Sequence, residues 1–346
     1  MNPYAKLTFS LSLVLGTVIT ISSNHWVAAW TGLEINTLAI IPLISKSHHP
    51  RAIEAAIKYF LVQAAASTLL LFSSMINAWH TGQWDITQLN HPTSSLLLTT
   101  AIAMKLGLVP FHFWFPEVLQ GSPLITALLL STVMKFPPIS ILFLTSHSLN
   151  PTLLATMAIA SAALGGWMGL NQTQIRKILA FSSISHLGWM SIVLIYNPKL
   201  TLATFYIYCI MTGAIFLSLN TTKSFKLSTM MISWTKTPVL NTTLMMTLLS
   251  LAGLPPLTGF LPKWLIIQEL SKQEMAAPAT IIAILSLLSL FFYLRLAYYS
   301  TITLPPNPTN LMKQWYTNKP ANTLIATLSS MSTLLLPLSP MILALI

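Results

Sequence analysis

Four ionisable residues sit in stretches otherwise apolar enough to lie in lipid: Glu34 in WTGLEINTLAI, Lys105 in AIAMKLGLVP, Lys135 in STVMKFPPIS and Lys263 in GLPPLTGFLPK. A carboxylate or an amine binds and releases a proton, and burial or a neighbouring charge tunes that exchange. At about 2.5–3.5 kcal/mol for each charge at mid-membrane, the four together cost on the order of 10 kcal/mol, so such groups are functional by default. The chemistry they suit is proton transfer. In a buried Glu34–Lys105 couple, protonating or displacing one partner changes the proton affinity of the other. Lys135 and Lys263 would extend the path. His112, inside FHFWFPE, and His186, among Ser182, Ser183 and Ser185, titrate near neutrality and could relay protons with water held by the serines or by freed carbonyls. Structural alternatives stay open beside each reading. Glu34 and Lys105 could simply join two helices, Lys135 could snorkel, Lys263 could reach headgroups, and each histidine could be a hydrogen-bonded packing residue.

Other charged residues read as structural. Glu117 lies near the end of its segment and reads as interfacial, and Glu54 and Lys58 form an i,i+4 pair at a helix start. Arg295, in FFYLRLAYY, reads as a snorkelling anchor among tyrosines. His48 and His49 read as solvated loop residues, and GGWMG (Gly165 to Gly169) as a site of close helix packing. No spacing suggests a metal site, a glycine-rich nucleotide loop or a Ser/His/Asp set. Cys209 is the single cysteine, which excludes disulfides, cysteine-based zinc sites and iron–sulfur ligation within the chain.

The elements that must position these residues are membrane helices. The 346 residues are 54% hydrophobic and 7% charged, with a mean hydropathy of +0.72. A soluble domain carries about 25% charged residues to wet its surface. Continuous rather than alternating apolar runs indicate an all-α polytopic membrane protein, not a barrel. Windows of about 20 apolar residues place eleven spans at 3–21, 25–45, 52–78, 96–121, 123–146, 150–170, 173–195, 200–220, 238–271, 277–300 and 322–344. The N-terminal stretch reads as the first span rather than a cleaved leader. With no soluble domain at either end, cofactor chemistry that needs one must reside on another chain.

The net charge of +11 is spread through short loops instead of forming a nucleic-acid patch, so no nucleic acid is expected as a partner. Lys6, Lys46, Arg51, Arg176, Lys177, Lys223, Lys226, Lys236, Lys313 and Lys319 fall on one side, against Lys199 and Lys272 on the other. By the positive-inside rule the N-terminus faces the cytoplasm-like compartment and the C-terminus the opposite one.

GLVPFHFWFPE and GLPPLTGFLPK superimpose at a shift of 146 residues, each reading G-L-x-P, five residues, then proline and a charge. The shift carries the first helix onto the sixth. Each repeat therefore holds five helices, one of them broken, and the odd number inverts the second copy, the architecture of secondary transporters. The single membrane domain divides as a first repeat over 1–149, an inverted second repeat over 150–300, and a loop with a C-terminal helix over 301–346. Under the same shift Glu34, Lys105 and Lys135 fall on Ala180, Leu251 and Ile281, so the halves are not equivalent proton channels.

WTGLEINTLAIIPL, KLGLVPFHFWFPEV, RKILAFSSISHLGWM and LAGLPPLTGFLPKW resemble the antiporter-like membrane-arm subunits of respiratory complex I, the vertebrate mitochondrial members in particular. The likeness runs through essentially the whole chain. It implies Glu34 and Lys105 as the pair, Lys135 as the bridge and Lys263 as the distal member of a proton path. It also implies the inner mitochondrial membrane, neighbouring membrane-arm subunits and lipid, cardiolipin among the candidates, as partners. FMN, iron–sulfur clusters and ubiquinone would act on other subunits, with no cofactor on this chain. Bacterial relatives typically have fourteen helices, so eleven implies loss of the first three. A free-standing cation/proton antiporter and a spacer that moves no proton are the rivals. The lack of an acidic cation cage weighs against the first and the mid-span lysines against the second.

Overall fold

In the computed structural model, which describes residues 2–233, 237–301 and 322–340, the regular elements are helices. Proline opens α1 (Pro3–Ser22), α3 (Pro50–Thr81) and α4 (Pro92–Leu106), where its missing N–H is no loss and its fixed φ suits a first turn. Between them lies α2 (Trp26–Ile44). The ring nitrogens of His25 and His49 accept from the backbone N–H of Val27 and Arg51, each at 3.2 Å, so His49 is a helix cap and not merely a solvated loop residue.

The expected fourth span is two helices, α4 and α5 (Trp114–Gly121), separated by a break that begins at Gly107. The fifth, expected to be continuous, is broken as well. It comprises α6 (Leu124–Ser131), a 3-10 turn over Val133–Lys135, and α7 (Phe136–Leu144). Pro137 and Pro138 cause this, because neither has an N–H to give the carbonyls of Val133 and Met134, and their rings crowd the preceding turn. The chain continues through α8 (Pro151–Gly169), α9 (Ile175–Val193), α10 (Pro198–Thr222) and the short α11 (Leu227–Ser233). The expected ninth span is again split, into α12 (Pro238–Ala252) and α13 (Phe260–Lys272), and α14 (Ala276–Thr301) and α15 (Thr323–Leu334) follow.

Among the described residues seven helical segments are long and apolar enough to cross a membrane: α1, α2, α3, the α6–α7 segment, α8, α10 and α14. The other expected spans fall short for identifiable reasons. Two are broken into halves, α15 is a short apolar helix, and α9 carries Arg176, Lys177 and several serines. Lys236, Lys313, Lys319 and the end of the expected last span, 341–344, lie outside the described residues.

The chain forms two compact units, Met1–Ser161 with Leu194–Pro198, and Ala162–Val193 with Lys199–Ile346. In the first, α1 and α2 pack so closely that a methyl on Gly16 would collide with the Asn36 side chain, and one on Gly32 would come 2.6 Å from Thr20. Small residues let helix backbones approach in this way. The long α3 packs against α2, α4 and α5. In the second unit α9 is buried nearly all round despite its polar residues, and α13 and α14 pack on it. A methyl on Gly165 would sit 2.8 Å from the Ser185 nitrogen of α9, and one on Gly166 2.8 Å from Leu288 of α14, so GGWMG is a close-packing site as its spacing suggested.

Arg295 is not a snorkelling anchor. Its guanidinium donates to the carbonyls of Leu170 and Gln172, just beyond the end of α8. A cation there satisfies carbonyls of the turn that follows α8 and complements the helix dipole. Arg295→Ala is expected to lower the temperature at which the protein unfolds, since hydrogen bonds to charged groups contribute about 1.5–3 kcal/mol each. An unchanged unfolding temperature would count against the cap.

Candidate functional site

The first unit gathers its ionisable residues by means of two breaks. Lys105 occupies the last turn of α4, which closes on Gly107 in the left-handed conformation (φ 77°, ψ 39°). That conformation suits glycine because there is no Cβ to crowd the carbonyl. The chain then folds over so that the Trp114 indole N–H donates to the Met104 carbonyl at 3.2 Å. This places α5, and with it Phe115, beside the 3-10 turn that carries Lys135. The Lys135 ammonium lies 4.6 Å from the Phe115 ring centroid, within the range of a cation–π attraction. Both lysines are buried, with Lys105 6% and Lys135 3% exposed. Among the described residues the Lys105 ammonium has no hydrogen-bond partner.

Lys105 and Lys135 line one cavity with Thr37, Tyr59 and Gln63, and about 20 Å³ of it is open to water centres. A water needs at least ~10–15 Å³ by that measure, so the space suits a single water among polar groups. Glu34 stands at its edge through Thr37, whose hydroxyl lies 2.9 Å from both the Glu34 carboxylate and the Glu34 carbonyl. No ion pair joins Glu34 to Lys105 among the described residues. The ion pairs among the described residues are Lys58 with Glu54 at 2.5 Å, Lys58 with Glu117 at 2.6 Å, and Lys272 with Glu269 at 3.5 Å. The helical pair Glu54–Lys58 is present on α3, and Glu117 from the first turn of α5 joins it to complete an exposed triad. His112 is buried within the first break with its ring 4.3 Å from that of Phe113, and it does not line the cavity.

The second unit repeats the first break with different chemistry. α12 ends on Gly253 in the same conformation (φ 83°, ψ 41°), and the Lys263 ammonium donates to the Ala252 carbonyl at 2.7 Å. The same ammonium is 5.9 Å from the Trp189 ring centroid. Lys263 lines a second cavity, again about 20 Å³, with His186, Trp189, Thr204 and Tyr208. The rings of His186 and Tyr208 are 5.6 Å apart. Ser182, Ser183 and Ser185 each donate their hydroxyl to a carbonyl three residues back in α9. Their protons are thereby engaged, and what they offer a water is a lone pair.

Sequence reasoning missed Thr37, Tyr59, Gln63 and Tyr208 as cavity walls. A signal was present for Gln63, a lone amide in LVQAAAS, and for Thr37, three residues beyond Glu34 on the same helix face. Nothing distinguishes Tyr59 or Tyr208 from interfacial tyrosines by sequence.

Residues 23–289 match the family model described as NADH:quinone oxidoreductase/Mrp antiporter, TM, and residues 290–343 match that described as NADH dehydrogenase subunit 2 C-terminus. The chain is 77% identical over 344 residues to NADH-ubiquinone oxidoreductase chain 2 of Struthio camelus, covering 99% of each chain. Its fold is similar to that of a chain in respiratory complex I from Thermus thermophilus, with a TM-score of 0.84 and 26% identity, covering 97% of this chain and 80% of that one. A chain in the Mrp complex from Dietzia sp. has a similar fold, with a TM-score of 0.82 and 18% identity, covering 97% of this chain and 75% of that one.

Proposed function

We infer function from kinship and site together: the chain belongs to the NADH:quinone oxidoreductase/Mrp antiporter transmembrane family, and it is an antiporter-like membrane-arm subunit of a respiratory NADH:ubiquinone oxidoreductase. It moves protons, while oxidation of NADH and reduction of ubiquinone take place elsewhere in the complex, with FMN and iron–sulfur clusters on other subunits. The membrane is the inner mitochondrial one, and the partners are neighbouring membrane-arm subunits and lipid. In this reading the chain has eleven spans in two inverted five-helix repeats, with the N-terminus on the matrix side. Lys223 and Lys226 are then open to protease from the matrix and protected in intact mitochondria. Cleavage at them from the intermembrane space would refute the orientation.

The observation that carries the proton path is the cavity shared by Lys105 and Lys135. A water there can take a proton from one ammonium and present it to the other amine without either side chain crossing apolar packing. Glu34 biases the exchange from the far side of Thr37, since a carboxylate favours the charged form of a nearby amine. Lys135 is the bridge onward, steadied over Phe115. Lys263, with His186 and Tyr208 beside a second water-sized cavity, forms the distal station. His112 belongs to this reading as a candidate relay in the first break.

The test is proton translocation by the whole complex in liposomes, carrying Glu34→Gln or Lys135→Met. NADH oxidation by an artificial electron acceptor should be unchanged, and protons moved per NADH oxidised with ubiquinone should fall in both variants. Undiminished proton yield in both would refute the path.

A further inference from the structure

The two breaks begin on glycines with nearly the same backbone angles and are closed by different groups. After Gly107, the N–H groups of Gly107 and Leu108 both turn back to the Ala103 carbonyl at 2.9 Å, and the next carbonyl, of Met104, takes the Trp114 indole. After Gly253, its N–H goes to the Ser250 carbonyl at 3.0 Å, and the Ala252 carbonyl takes Lys263. One helix end is capped by a neutral ring and the other by a charge. Trp114 aligns with Phe260 under the 146-residue shift and Lys263 with Glu117, so the capping group has changed between the halves.

The space at the two glycines differs in the same way. A methyl on Gly107 would meet Phe115 Cβ at 3.5 Å and the Trp114 ring at 3.6 Å, which is ordinary contact. A methyl on Gly253 would lie 2.9 Å from both Cδ and Nζ of Lys263 and 3.0 Å from Cε. Three consecutive atoms of the lysine's outer chain thus lie against the bare Cα of Gly253. The left-handed backbone alone would favour glycine at both positions. Only at Gly253 does the missing side chain also make room for a lysine.

We propose that Gly253 is a positioning residue for Lys263, its bare Cα forming the slot through which the ammonium reaches the Ala252 carbonyl. The slot holds the ammonium at the C-terminal end of α12, where the helix dipole and an otherwise unpaired carbonyl both favour a cation. Lys263 also lines the His186–Tyr208 cavity, so its head has two places to bond, the helix end and the water-sized space. Gly253 makes the first of these available. The inference rests on the proton-carrying reading for its consequence in pumping, but the placement of the ammonium is a separate matter and is tested separately.

The experiment compares Gly253→Ala with Gly107→Ala in the assembled complex. Both carry a side chain at positive φ, so Gly107→Ala reports backbone strain without a lysine in the way. High-resolution structures should show Nζ of Lys263 off the Ala252 carbonyl in Gly253→Ala and in place in Gly107→Ala. Proton yield per NADH should fall in Gly253→Ala to the level of Lys263→Met. An ammonium still on Ala252 in Gly253→Ala overturns the proposal. Lys263→Met, assayed alongside, tests the proton-carrying reading itself; unchanged yield there would sink that reading without touching the placement result. If Gly253→Ala prevents assembly, the double variant Gly253→Ala with Lys263→Ala removes the obstructing chain. Restored assembly supports the slot, and continued loss overturns it.

Discussion

The complex carrying Lys105→Met is expected to assemble at least as well as the parent and to lose proton transfer through this chain. The first half of that expectation follows from what Lys105 lacks. Its ammonium is buried with no hydrogen-bond partner among the described residues, and no ion pair joins it to Glu34, so no direct contact offsets the cost of taking the charge from water. Methionine has a similar length, no charge and a flexible chain that fills the same space. Replacing buried charges with packed apolar groups is often neutral or stabilising by about 1–4 kcal/mol. The second half follows from position. In the proposed path Lys105 supplies an exchangeable proton to the cavity it lines with Lys135, and a thioether can neither bind nor release one. A structural ion pair predicts the opposite pattern: a stranded Glu34, poor assembly of Lys105→Met, and rescue by adding Glu34→Gln. Thermal dissociation of the complex and proton yield in liposomes, measured on Lys105→Met, Glu34→Gln and the double variant, separate the two. Full pumping by the assembled double variant would sink the proton-transfer role.

Much of this arrangement is legible in the sequence because it rests on local rules. Proline and glycine in apolar runs mark the breaks at Gly107 and Gly253, and the composition fixes an all-helical membrane chain. Charged residues in such runs identify Lys105, Lys135 and Lys263. What was not legible depends on long-range geometry. Glu34 and Lys105 lie 71 positions apart, and spacing could not say that Thr37, not direct contact, stands between the carboxylate and the cavity. Arg295 looked like an anchor because tyrosines flank it, whereas its partners at 170 and 172 are brought there by packing between α8 and α14. The 3-10 turn at Val133–Lys135 is a different kind of omission. Pro137 and Pro138 announced it, and the apolar window outweighed them.

Gly259→Ala is expected to prevent assembly altogether, and the reason is backbone against backbone. Gly259 itself has ordinary helical angles (φ −67°, ψ −12°), so conformational strain is not the issue. A methyl there would fall onto the Ser250 carbonyl of α12. A flexible side chain could swing away from such a collision. This carbonyl cannot, because it accepts the Gly253 N–H that shapes the break. On the other side, the neighbouring Thr258 hydroxyl donates to the Ser332 carbonyl of α15, so retreat of the 258–259 segment breaks a second tie. Met211 Sδ, 3.4 Å from the added carbon, limits movement in another direction. Overpacking a tight core costs about 1–3 kcal/mol and more where backbone must shift, and here the shift would also loosen the Lys263 cap on Ala252. The matching position in the first break is Phe113, which is 65% exposed and accommodates a full aromatic ring. Phe113→Ala is therefore the control, expected to leave assembly intact. The amount of complete complex on native gels, compared for the two variants, checks the expectation; normal assembly of Gly259→Ala would mean that the ends of α12 and α13 are not held together by this contact.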